Sequence, residues 1–212
     1  MITIAIAKGR MQDDAIALLA SAGIRLNEEE IASRKLAIAD VSGSYNFIFV
    51  KPADVPVYVE HGIADCGIVG RDVLLETEAD VLLPLDLGIA KCRLVVAAVD
   101  PSVVTRSFGM LRVATKYSRL ASAHFGSRGI PVEIIPLSGS VELAPALGLS
   151  NAIVDLVETG RTLKENGLSV VEVITESTGR LVVNRASYQL KADEVERLIA
   201  ALSKVVGQES VA

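Results

Sequence analysis

Only two cysteines, Cys66 and Cys92, occur in the 212 residues of this chain, and both sit in apolar, strand-like stretches. Neither a disulfide framework nor a thiolate metal site is suggested by that, and buried structural thiols are the favoured reading. Histidine is equally scarce. His61 and His124 stand far apart, without cysteine or acidic neighbours at metal-ligand spacing, which speaks against a metal centre or a catalytic triad. There is no basic tract, and the net charge of -5 argues against nucleic acid as a partner, so any phosphate site must be local. Half of the residues are hydrophobic, yet no uncharged apolar run approaches the ~20 residues that a bilayer-spanning helix needs. A soluble protein with no membrane partner is expected. The opening Met-Ile-Thr-Ile-Ala-Ile-Ala lacks the basic leader and small-residue cleavage site of a signal peptide, and reads as a first buried strand; a cytoplasmic location follows as an expectation. No Gly-x-Gly-x-x-Gly follows a strand and no Gly-x-x-x-x-Gly-Lys-Ser/Thr occurs, which disfavours dinucleotide and Walker sites.

What the chain does contain is an alternation of short apolar, β-branched runs with helical patterns. That pattern predicts a mainly parallel α/β sheet. Strands are expected at residues 2–7, 47–50, 66–69, 81–85, 93–98, 112–115, 132–135, 152–157, 170–174 and 181–184. In residues 13–22, Ala15, Leu18, Leu19 and Ala22 share one helical face that ends at Gly23. Asp54 is placed to cap a helix with Pro56 in its first turn, and Gly62 is placed to stop it. Further helices are expected after Gly70, near residues 118–125 and 141–147, and after Gly160. The tail carries Val195, Leu198, Ile199, Leu202 and Val206 at helical spacing, so it should pack on a domain. No repeat or low-complexity linker appears. Two lobes, residues 1–90 plus 179–212 and residues 91–178, joined by strands that cross near 88–95 and 176–184, would account for the missing linker.

The clearest chemistry lies in residues 155–163, Asp-Leu-Val-Glu-Thr-Gly-Arg-Thr-Leu. A polar turn between a strand's end and a helix start points backbone N–H groups outward, and the helix dipole favours an anion there. Thr159 and Thr162 add hydroxyl donors, and Gly160 admits close approach. An ordinary threonine-capped helix start is the competing reading. Asp155 weighs against it, because a carboxylate closing a buried strand has little structural purpose but can accept ribose hydroxyls. Glu158 would repel a phosphate and should point away. In Ser138-Gly-Ser-Val-Glu142, Ser138 or Ser140 is placed to cap a helix with Glu142 in its first turn, where glutamate also suits any helix dipole. Lys8-Gly9-Arg10 ends the first strand and Lys51 ends the second, the edge at which open α/β sheets bind ligands, so these cations suit a polyphosphate better than plain surface charge does. Arg34 reads more weakly, as part of an exposed turn. Asp65 and Asp72 flank Gly67 and Gly70 and read equally as loop caps or ligand contacts.

These residues resemble one family over nearly the whole chain, the short form of ATP phosphoribosyltransferase, which opens histidine biosynthesis. The resemblance rests on Ile-Ala-Lys-Gly-Arg near the start, on Asp54-Val-Pro-Val-Tyr-Val-Glu-His-Gly-Ile-Ala-Asp-Cys-Gly-Ile-Val-Gly-Arg-Asp72 and on Lys91-Cys-Arg-Leu-Val-Val-Ala. Most specific are Gly139-Ser-Val-Glu-Leu-Ala-Pro145 and Ile153-Val-Asp-Leu-Val-Glu-Thr-Gly-Arg-Thr-Leu-Lys-Glu-Asn-Gly-Leu168. It implies a two-lobed α/β fold like the type II periplasmic binding proteins, with substrates in a central cleft and the phosphoribosyl pyrophosphate loop in the second lobe. It implies that this substrate's 5-phosphate lies on Thr159, Gly160, Arg161 and Thr162 and its ribose near Asp155 and Glu142, with direct contact by Arg161 and Glu158 left open. ATP or pyrophosphate would face Lys8, Gly9, Arg10, Arg34, Lys51 and Asp72. Lys51, Arg34, Glu142 and Asp155 form the implied catalytic group. Position 51 carries lysine where relatives usually carry arginine, which keeps the charge and loses the bidentate fork. Mg²⁺ is implied, held by substrate oxygens and water with no protein ligand. The chain ends with no room for the regulatory domain of longer relatives, so the implied partner is a separate subunit resembling histidyl-tRNA synthetase, with the catalytic chains as a homodimer in a hetero-oligomer. A non-catalytic solute-binding module and a phosphoribosyltransferase with another nucleophile are the alternatives.

Overall fold

The computed structural model describes residues 1–27, 35, 37–106 and 109–209. By its contacts the chain divides into two compact units, Met1–Ala90 with Thr178–Ala212, and Lys91–Ser177. The first unit runs β1 (Ile2–Ala7), α1 (Arg10–Ser21), β2 (Ala37–Ala39), β3 (Tyr45–Val50), a 3₁₀ turn (Pro52–Asp54), α2 (Val55–Glu60), β4 (Cys66–Gly70), α3 (Arg71–Thr77) and β5 (Leu82–Asp86). The second contains β6 (Cys92–Ala98), α4 (Val103–Arg106), β7 (Leu111–Thr115), α5 (Ser118–Gly126), β8 (Val132–Pro136), α6 (Leu143–Ala146), β9 (Ala152–Val157), α7 (Arg161–Glu165) and β10 (Ser169–Ser177). The chain then returns to the first unit with β11 (Gly179–Val183), α8 (Arg185–Leu190) and α9 (Ala192–Glu209).

Each unit is built on one sheet. The first has strand order β2-β3-β1-β4-β11-β5 and the second β10-β6-β9-β7-β8. Strand β1 runs parallel to β3 and β4, while β2, β5 and β11 join antiparallel. In the second unit β7 runs parallel to β8 and β9, and β6 is antiparallel to β9 and β10. The expected mainly parallel sheet is therefore two mixed sheets. A strand buried on both faces reads as one apolar run whichever way its neighbour points, so periodicity carries no direction. The antiparallel pairs β5–β11 and β6–β10 arise where the chain leaves the first unit and comes back.

Strand β1 shows why these runs form the core. Ile2, Ile4 and Ile6 pack on one face with Ala15, Leu18 and Leu19 of α1, while Ala5 and Ala7 pack on the other with Val55 and Val59 of α2. Val195, Leu198 and Leu202 of α9 join the first of these clusters fully buried, each side chain contributing about 1.5–3 kcal/mol by leaving water. Asp54 was expected to cap α2. It holds the N-cap position but makes no capping bond through its side chain, because the preceding 3₁₀ turn already gives it helical backbone angles. Both cysteines are buried and neither forms a disulfide, and burial pushes the Cys66 thiol up to about 12.

The N-terminal ends of β1 and β4 in the first sheet are pinned by Asp65. Its carboxylate accepts from the Thr3 N–H at 2.9 Å, the Ser187 hydroxyl at 2.7 Å and the Lys191 ammonium at 2.8 Å. The question of whether Asp65 is a ligand contact or a structural group is answered by these partners, which tie α8 and α9 to the sheet. Burial pushes the Asp65 carboxyl up, but Lys191, Ser187 and the Thr3 N–H together hold it below the usual carboxylate range. Its stabilising effect is then present above that range and lost as pH falls through it. Asp65→Asn should cost about 2 kcal/mol in urea unfolding at pH 7, with a smaller deficit at acid pH.

Candidate active site

In the second unit three parallel strands end together. Register pairs Thr115 of β7 with Val154 of β9 and with Pro136 of β8. Lys116 therefore follows β7 next to Asp155 of β9, and residues 137–142 leave the end of β8 on the same edge. The Lys116 Nζ lies 3.6 Å from Asp155 Oδ1, which also accepts the Leu156 N–H at 2.8 Å. Burial pushes the Asp155 carboxyl above the usual range and Glu142 adds to that; Lys116 and the Leu156 N–H pull down without cancelling it. A carboxylate kept in this condition is poised to accept further hydrogen bonds, as ribose hydroxyls would supply.

Helix α6 starts at Leu143, so Glu142 occupies its N-cap position rather than its first turn, and no side chain caps the helix there. Neither Ser138 nor Ser140 acts as the expected cap. Backbone carbonyls close the turn instead, from Ser140 to the Leu143 N–H and from Val141 to the Ala144 N–H, and Ser140 takes a positive φ of 47°, a costly conformation for a residue with a side chain. The loop after β9 turns on Gly160, whose φ of 79° suits glycine alone at little cost. Leu163 is buried and anchors the loop, whereas Thr159, Arg161 and Thr162 are exposed. Arg161 lies 3.5 Å from Glu165 one helical turn on. Thr159 and Thr162 are exposed, Gly160 holds the N-cap of α7, and Thr159 Oγ1 accepts the Arg161 N–H at a long 3.5 Å.

The first unit repeats the arrangement. Lys8 and Lys51 follow the adjacent parallel strands β1 and β3, with the Lys8 N–H bonded to the Val50 carbonyl at 2.8 Å, and both side chains are exposed. Gly9, at φ 94°, turns the chain into α1. Arg10 is exposed, and its Nη2 donates to the Ala90 carbonyl at 3.4 Å. Asp72 stands apart from these cations in being 4% exposed in the first turn of α3. A Cβ on Gly70 would fall 2.2 Å from Asp72 Oδ1, so the glycine is what makes room for that carboxylate. Arg34 lies outside the described residues. The candidates thus fall into two groups, one on the strand ends of each unit. Lys116 belongs to the second group and was missed in the sequence, although it follows its strand just as Lys8 and Lys51 follow theirs. Among the described residues no three His, Cys, Asp or Glu side chains gather as a metal cage, and no helix is long and apolar enough to cross a membrane.

Comparison with known proteins bears on both fold and chemistry. The family model described as HisG, ATP phosphoribosyltransferase, matches residues 51–204. Proteins named ATP phosphoribosyltransferase from Sorangium cellulosum and a Geobacillus species are each 50% identical to the chain, over 95% and 98% of its length and 94% and 100% of theirs. The one from Bacillus subtilis is 49% identical over 99% of this chain and 98% of its own. Among solved structures, the ATP phosphoribosyl transferase (HisG:HisZ) complex from Thermotoga maritima superposes with a TM-score of 0.84 at 36% identity, covering 98% of this chain and 100% of that one. The periplasmic aliphatic sulphonate binding protein SsuA from Escherichia coli aligns at a TM-score of 0.61 and 13% identity, over 97% of this chain and 72% of its own, which speaks to fold alone. Together they bear out the expected two-lobed α/β fold of periplasmic-binding-protein type. By its family match and by these full-length relatives, the chain belongs to the ATP phosphoribosyltransferase family.

Proposed function

We propose that the chain transfers the phosphoribosyl group of phosphoribosyl pyrophosphate to N1 of the ATP adenine, releasing pyrophosphate, as the first step of histidine biosynthesis. The observation that carries this reading, beyond family membership, is the half-buried Asp155 carboxylate, with Glu142 acting on it, and the Thr159–Gly160–Arg161–Thr162 loop on one strand edge. On it the loop's N–H groups and hydroxyls hold the 5-phosphate, and Asp155 and Glu142 face the ribose. N1 of adenine has a free lone pair, so its attack on C1 of the ribose needs no strong base. The C1–N1 bond forms as the C1–O bond breaks, and pyrophosphate leaves with the bonding electrons. Asp155 and Glu142 stabilise the positive charge that develops on the ribosyl group, and alignment of the two substrates supplies much of the rate. Lys8, Arg10, Lys51 and Arg34 are assigned to ATP and the departing pyrophosphate, Gly9 to close backbone approach, and buried Asp72 to support from beneath. Mg²⁺, when bound, would be held by substrate oxygens and water and would supply positive charge to the leaving group.

Both substrates are intracellular phosphates, which places the reaction in the cytoplasm. The Thermotoga maritima complex supports assembly with a second subunit, here a histidyl-tRNA-synthetase-like regulatory chain bound to a catalytic homodimer. The test is formation of phosphoribosyl-ATP, read by mass, from ATP, phosphoribosyl pyrophosphate and Mg²⁺, with the chain alone and with that subunit added. Product in either condition is expected, and other purines offered in place of ATP should give none. Absence of product in both conditions would refute the assignment.

A further inference from the structure

Lys116 is placed with more care than a surface lysine needs. The residue before it, Thr115, is fully buried and its hydroxyl spans two strands' ends: it donates to the Val154 carbonyl at 2.6 Å and accepts the Tyr117 N–H at 2.8 Å. The residue after it, Tyr117, is buried in the core of the second unit. The backbone of Lys116 is thereby fixed from both sides and set against Asp155. Its own side chain is 43% exposed, with Nζ 3.6 Å from Asp155 Oδ1 and 5.1 Å from the centroid of the Tyr117 ring. That ion-pair distance is longer than a direct hydrogen bond, and an ammonium resting over an aromatic face has a second place to stay when it leaves the carboxylate.

Resting on the phosphoribosyl reading above, we propose that Lys116 is a positioning residue of the ribose site, the displaceable counter-charge that keeps Asp155 in its hydroxyl-accepting form until the ribose takes its place. Among the described residues the charged groups acting on Asp155 are Lys116, from the end of β7, and Glu142, from the start of α6. Burial and Glu142 both favour a protonated Asp155; Lys116 is the opposing charge. A protonated carboxyl carries a donor where the ribose needs acceptors, so Lys116 governs the pH below which phosphoribosyl pyrophosphate is lost.

The experiment uses the full chain and measures phosphoribosyl pyrophosphate binding by calorimetry at pH 6 and pH 8 for wild type, Lys116→Met and Lys116→Arg. Lys116→Met should bind about tenfold more weakly than wild type at pH 6 and within about threefold of it at pH 8, and Lys116→Arg should restore the wild-type profile. In an Asp155→Asn background the pH-dependent part of the Lys116→Met effect should vanish. A second arm needs no ligand: the ¹³C-carboxyl resonance of Asp155, identified by its loss in Asp155→Asn, should titrate at higher pH in Lys116→Met. An equal loss at both pH values, surviving in Asp155→Asn, would overturn the proposal by showing that Lys116 touches the substrate phosphate directly. An unmoved carboxyl titration would overturn it as well. Failure of wild type to bind phosphoribosyl pyrophosphate at all would overturn the phosphoribosyl reading and this proposal with it, and the carboxyl titration would separate that outcome from a failure of the Lys116–Asp155 coupling.

Discussion

Asp155→Asn should lower turnover by roughly 100-fold and at the same time make the protein more stable. The loss follows from the role assigned to the carboxylate, since the amide keeps the shape but removes the negative charge that favours a ribosyl cation. The gain follows from its surroundings. Burial and Glu142 hold the Asp155 carboxyl above the usual range, so ionising it in the folded chain costs more than in the unfolded one. That cost is absent at low pH, where both states are protonated, and grows as pH rises through the shifted range. At neutral pH the amide escapes it while still accepting the Leu156 N–H. In a protein of this size each kcal/mol recovered raises the melting temperature by about 2–4 °C. Thermal unfolding at pH 7.5 and at pH 4 checks the sign: the variant should melt higher than wild type at the first and near it at the second. A variant that is both inactive and less stable at neutral pH would place Asp155 among the structural residues.

Removing both loop hydroxyls, Thr159→Ala with Thr162→Ala, should weaken phosphoribosyl pyrophosphate binding by roughly 100-fold. Hydrogen bonds to a charged group contribute about 1.5 kcal/mol or more each, and two such losses give about 3 kcal/mol, or two decades in affinity. Both side chains are exposed, and the bond from the Arg161 N–H to Thr159 Oγ1 is long at 3.5 Å. The melting temperature should therefore hold while affinity falls. Because the 5-phosphate is bound alike in ground and transition states, KM should rise far more than kcat falls. ATP affinity should be unchanged. Isothermal titration with each substrate separately reads all of this, and unaltered phosphoribosyl pyrophosphate affinity would remove the loop from the site.

How far such a site can be read from sequence differs by residue. Strands such as Ile2–Ala7 and Ala152–Val157 are legible because burial on both faces demands unbroken apolar runs, and α9 because its buried stripe recurs at helical spacing. Strand direction is not legible, for the same side chains serve either pairing. Three-residue β2 is too short to show a period. Helix α8 escapes as well: its Arg-Ala-Ser-Tyr-Gln-Leu has no apolar stripe, and what starts it is the Asn184 side chain accepting the Ser187 N–H. Asp65 looks like a loop acid until Thr3, Ser187 and Lys191 arrive from distant parts of the chain. Asp72 looks like any acid in a helix's first turn, and the sequence does not show the space that Gly70 leaves for its carboxylate. Lys116 was within reach, since it obeys the strand-end rule that singled out Lys8 and Lys51, but it has no motif beside it to draw notice.

A crystal structure of the chain soaked with phosphoribosyl pyrophosphate tests most directly whether the Asp155–Thr162 edge of the second unit is the site for that substrate. The 5-phosphate is expected on the N–H groups and hydroxyls of Thr159 to Thr162, with the ribose hydroxyls on Asp155 and the Lys116 ammonium moved off that carboxylate. A 5-phosphate seated instead on Lys8, Arg10 and Lys51, with Lys116 still paired to Asp155, would contradict it.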